Sequence, residues 1–133
     1  MLTFLGGEML NKILKVLVLI PGVLFVLTGI RWLVMPSEVA VTFGLDLSEG
    51  LGRSTLIGDM ASFFLTLGSC MLIALITNKR EWYYPPAMLL VIAAIGRLIA
   101  WLIYDADLAT GPIMVELIVA SIILFASRHL PQD

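Results

Sequence analysis

Five charged residues stand inside or beside apolar runs of this chain: Arg31, Arg53, Asp59, Arg97 and Glu116. On membrane-insertion scales a charge at the centre of an apolar helix costs roughly 2.5–3.5 kcal/mol, so each needs a partner or a route to water. Arginine cannot neutralise itself by losing a proton. Arg97 therefore calls for a carboxylate, which Glu116 can supply across a short hairpin and Asp59 from behind. Three readings stay open. The charges could only lock the helices together, or they could snorkel to the surface without meeting. Alternatively, three arginines against two carboxylates leave one positive charge for an anionic or strongly polar ligand group. In that reading Arg97 is the anchor, Glu116 and Asp59 orient the ligand, and Arg53 and Arg31 add positive potential. Trp101, one turn from Arg97, would line the wall. Asp59 or Glu116 could also serve as an acid or base, but no residue is assigned a catalytic role, and a non-enzymatic function is favoured.

The rest of the composition removes most other chemistry. Cys70 is the single cysteine, so there is no internal disulfide, no CxxC pair and no thiolate metal site. The single histidine, His129, lies near the C-terminus and is a poor start for haem or zinc; neither a metal nor a cofactor is expected. A formal charge of −2 without a basic cluster leaves little to neutralise phosphates, which argues against nucleic-acid binding.

The elements that position these charges follow from apolarity. The chain has 133 residues, 60% of them hydrophobic and 14% charged. Its mean hydropathy is +1.04. A soluble domain of this length could not hide so much apolar surface, so the solvent is lipid. Against the roughly 20 residues needed to cross about 30 Å of hydrocarbon, four spans emerge, at about 13–34, 56–77, 86–104 and 112–127. The fold class is all-α, a single membrane domain of four transmembrane helices in an up-and-down bundle. Lys12 and Lys15 before an apolar run also resemble a signal peptide, but Arg31 and Trp32 follow in place of a small-residue cleavage site.

Lys12, Lys15, Lys79, Arg80 and Arg128 gather on one side of the spans, and positive charge is retained on the cytoplasmic side. Both termini are thus expected in the cytoplasm, with an extracytoplasmic loop at 35–55. That loop is expected to hold a short interfacial helix from Pro36 to near Gly44, then a turn at Gly50 and Gly52, with Ser54 capping the second span. Residues 1–10 are expected to be frayed or interfacial. Trp82, Tyr83 and Tyr84 read as an interfacial belt, and Pro85 and Pro86 suit the first turn of the third helix.

At 1.5 Å per residue, Arg31 and Asp59 lie about 4–5 Å inside the far ends of their spans, Arg97 roughly 10 Å and Glu116 roughly 6 Å. Up-and-down connectivity then collects all four in one layer, with Arg53 just above. Small residues four apart mark helix contact faces in membranes. Gly58, Ser62, Thr66 and Cys70 form one such stripe, and Ala93, Gly96 and Ala100 a shorter one. A faint echo between Gly29, Arg31 and Trp32 and between Gly96, Arg97 and Trp101 suggests duplicated hairpins, or chance.

The series Gly29-x-Arg31, Pro36, Gly44-Leu45, Arg53, Gly68, Gly96-Arg97-Leu98 and Glu116 covers nearly the whole chain. It resembles a family of small bacterial membrane proteins of unknown function, loosely DoxX-like. That resemblance implies a four-helix protein of the bacterial inner membrane. Two functions lead. One is binding the polar head of a small amphiphile, a lipid or a quinone-like molecule, in the charged layer. The other is a structural or assembly role in which the same charges lock the bundle and Gly58, Ser62 and Thr66 meet another chain, as a homo-oligomer or a membrane-complex subunit. A small transporter and a membrane enzyme are weaker alternatives.

Overall fold

A computed structural model describes residues 2–133, and those residues form helices and turns with no strand. The helices are α1 (Leu2–Val34), α2 (Pro36–Thr42), α3 (Gly50–Thr77), α4 (Tyr84–Ile103) and α5 (Thr110–His129), with a 3-10 turn at Arg80–Tyr83 leading into α4. Four of them, α1, α3, α4 and α5, are long and apolar enough to cross a membrane. The chain is a multi-pass membrane protein. Its surface agrees with a lipid solvent: Leu19, Ile20, Leu33, Met88, Ile92 and Leu102 all point outward. Four crossings put both ends of the chain at one end of the bundle and α2 at the other.

Helix α1 packs most extensively on α3, α4 packs on α5, and contacts of α1 with α5 and of α3 with α4 close the ring. Each helix turns one stripe inward at helical spacing. On α4 the stripe is Ala87, Leu90 and Ala94; on α5 it is Val119, Ala120, Ile123 and Ala126. Small residues on both let the backbones approach, as helix association in lipid requires. The register of α1 on α3 is set by glycine. A Cβ on Gly68 would lie 2.5 Å from the Gly22 carbonyl oxygen, and one on Gly29 would lie 2.9 Å from the Leu65 backbone nitrogen. Only hydrogen fits at either place.

This contact corrects the expected packing faces. Neither Gly58 nor Gly96 meets anything within 4 Å of a built Cβ. Ser62 and Thr66 are exposed, and the Ser62 hydroxyl donates to the carbonyl of Asp59 on its own helix at 3.0 Å. Ala100 is half-buried. Spacing by four identifies a continuous face but not which face the other helices occupy. The glycines that do make contact are Gly22 and Gly29, two helical turns apart on α1, and Gly68 on α3.

Several boundaries also differ from expectation. Of residues 1–10, residue 1 lies outside the described residues, and α1 runs from Leu2 without a break into the first span. Its 33 residues extend about 50 Å, well beyond the hydrocarbon thickness. Helix α3 begins at Gly50, so Gly50 and Gly52 are not a separate turn and Ser54 lies inside the helix rather than capping it. Glu49, extended and making no side-chain cap, precedes it. Tyr83 is buried against the bundle and is no part of an interfacial belt, whereas Trp82 and Tyr84 are exposed. The prolines do stand in the first turn of α4. Helix α2 ends before Gly44, whose positive φ of 69° lets the chain reverse.

Candidate functional site

The inward stripe of α4, continued by one turn from Ala94, reaches Arg97; that of α5, traced back from Val119 and Ala120, reaches Glu116. The two helices run antiparallel, so the two charges meet. Arg97 Nε donates to Glu116 Oε1 at 2.5 Å. This is the one ion pair among the described residues. Its members differ in environment: the Glu116 side chain is 9% exposed and that of Arg97 is 40%. Glu116 Oε2 is enclosed and has no hydrogen-bond partner.

The pair forms part of the wall of a cavity of about 440 Å³ to which all five helices contribute. That volume lies within the roughly 300–1,000 Å³ range of small-molecule sites. Phe25, Phe43, Phe63 and Phe64 supply its aromatic lining. Their rings contact one another, Phe43 to Phe64 at 5.4 Å and Phe63 to Phe64 edge-on at 5.1 Å. Helix α2 brings Phe43 there by folding back over the end of α1, where Trp32 is fully buried and lies 5.9 Å from the Phe43 ring. The Trp32 indole N–H is enclosed and unpartnered as well. Leu24 of α1 and Val115 of α5 line the cavity yet are 56% and 53% exposed, so they form a rim open to the surroundings of the bundle.

The other expected cluster members stand apart. Asp59 is exposed and lines a shallow groove with Ser62, Thr66 and Leu89. Arg53 Nε donates to the Ser48 carbonyl at 2.8 Å, within the loop that enters α3. Arg31 is exposed. Trp101 is 44% exposed on the outside of α4 and does not line the cavity. The way each side chain faces gives the reason. The glycine contacts of α1 on α3 place Asp59 within about one helical turn of Arg31 in depth. Both side chains nevertheless point out of the bundle rather than into the cavity.

Sequence reading missed the phenylalanine cluster and the part played by α2. Phe25, Phe63 and Phe64 come from α1 and α3 and Phe43 from the residue that ends α2, and no spacing rule links them. The direction of Arg97 was available: it continues the stripe of Ala87, Leu90 and Ala94 at helical spacing. The echo between α1 and α4 has no structural counterpart, since Trp32 is buried and Trp101 is exposed. Among the described residues no group of three or more histidine, cysteine, aspartate or glutamate side chains could hold a metal ion. Comparison with family models, with curated proteins and with solved structures returns no match.

Proposed function

We propose that this is a binding protein for a small membrane-dissolved amphiphile, a lipid or a quinone-like molecule, whose polar head is held by Arg97 in the cavity beside Glu116. One observation carries the reading: the one ion pair among the described residues stands in the wall of an otherwise largely apolar cavity of small-molecule size. A purely structural pair would be served by close packing on every side. Here Arg97 keeps 40% of its side chain exposed, with the guanidinium donors beyond Nε uncommitted. The distribution of Lys12, Lys15, Lys79, Arg80 and Arg128 supports cytoplasmic termini and a cavity in the extracytoplasmic half, while a bacterial inner-membrane location is what the family resemblance implies. The likeness to small DoxX-like proteins belongs to the same proposal.

Gentle purification in lipid nanodiscs followed by mass spectrometry of the extracted small molecules tests it. Wild-type protein is expected to carry a defined amphiphile that Leu24→Trp, which places an indole on the rim, no longer retains. Identical extracts from both proteins would overturn the reading. A second reading, a subunit of a homo-oligomer or membrane complex, is supported by the exposed groove of Asp59, Ser62 and Thr66 on α3.

A further inference from the structure

The binding reading leaves the chemistry of the head group open, and the lining narrows it. Arg97 and Glu116 carry opposite charges that sum to zero, and no other charged side chain lines the cavity. The excess positive charge expected from five clustered ions is absent there, because Arg31 and Arg53 lie elsewhere. An anion entering this site would add a net negative charge beside a carboxylate whose second oxygen already lacks a donor. In a medium of low dielectric that is strongly unfavourable.

The hydrogen-bonding capacity of the lining points the same way. Thr28 and Thr42 each donate their hydroxyl proton to a carbonyl one turn earlier in their own helix, at 2.8 Å to Leu24 and 3.4 Å to Glu38. The uncommitted side-chain donors are the remaining N–H groups of Arg97. A head group that satisfies them must present an acceptor oxygen. Four phenylalanine rings beside it favour a flat ring. The rim, Leu24 and Val115, is apolar and exposed, so the approach is from the hydrocarbon of the bilayer. A head that travels through hydrocarbon must dissolve there, which an uncharged group does and a carboxylate does not.

Resting on the binding reading, we propose that the cavity admits, sideways from the bilayer past Leu24 and Val115, an uncharged ring bearing an acceptor oxygen, and discriminates against the anion of the same shape. Three probes of matched ring and tail separate the possibilities: para-octylacetophenone, para-octylbenzoate and octylbenzene. Their retention is measured on protein in phosphatidylcholine nanodiscs at about pH 8, where a benzoate is ionised, and corrected with empty discs. Wild type is expected to retain the acetophenone about tenfold better than the benzoate, and better than octylbenzene, which offers no acceptor. Glu116→Gln leaves Arg97 with an unbalanced positive charge and should raise benzoate retention above that of the acetophenone.

Preference of wild type for the benzoate, or no change of order in Glu116→Gln, overturns this inference while leaving amphiphile binding intact. Should Glu116→Gln fail to assemble, the wild-type ratio decides by itself. Equal retention of all three probes, unaltered by Leu24→Trp, overturns the binding reading as well.

Discussion

Removing Arg97 should damage the protein more than removing Glu116, although the two share one hydrogen bond. In Arg97→Ala the Glu116 carboxylate, 9% exposed, is left enclosed with neither oxygen partnered. Stranding a buried ion in this way costs about 3–5 kcal/mol in protein interiors. Partners found in the unfolded membrane state reduce such values, so about 2–3 kcal/mol is expected here. In Glu116→Ala the orphan is an arginine already 40% exposed on a long stem, which can swing toward the end of α4 about 9 Å away. Its loss should be about 1–2 kcal/mol, part of it from the small cavity that the shorter side chain leaves. The double variant strands no charge and should cost less than the sum of the two, with a coupling of about 1–2 kcal/mol. Reversible unfolding in mixed micelles on titration with a denaturing detergent measures all four proteins. Equal losses for the two single variants would refute the argument from exposure, and strictly additive losses would mean that the pair contributes no mutual stabilisation.

The glycine contact between α1 and α3 gives a second contrast. Gly68→Ala forces a methyl against the α1 backbone and should lower stability by about 1–3 kcal/mol, whereas Gly58→Leu should shift it by no more than about 0.5 kcal/mol; the same micelle titration compares them, and a reversed order would remove Gly68 from the contact. Orientation is open to cysteine labelling in a Cys70→Ser background. An impermeant maleimide added outside intact cells should label a cysteine at Glu49 and spare one at Lys79, and the opposite pattern would invert the topology.

The sequence by itself determined the solvent and the number of crossings. Lipid demands about 20 consecutive apolar residues per helix, and that requirement is written in composition alone, so the four helices occur where the apolar runs occur. It also offered the pairing of Arg97 with Glu116, because an arginine in an apolar helix needs a carboxylate and a short hairpin brings Glu116 within its reach. Local rules did less well at boundaries. Helix α3 starts six residues before its apolar run, since a helix can continue through polar residues into the interface, where water satisfies their side chains.

Tertiary structure alone decided which of five charges share a site. Depth counted from the end of each apolar run places Arg31 and Asp59 in one layer, but whether charges meet depends on which way each faces once α1 is packed on α3, and both of these face outward. That packing depends on Gly29 and Gly68, where a single methyl would fall within 3.0 Å of the facing backbone, Gly22 offering its carbonyl to Gly68. The cavity was equally hidden. It exists because α2 folds back and carries Phe43 to Phe64, a contact between residues 21 positions apart that no periodicity within either helix encodes. Periodicity fixes which way a side chain points from its own helix; what it meets there depends on how far neighbouring helices slide before their smallest residues come into contact.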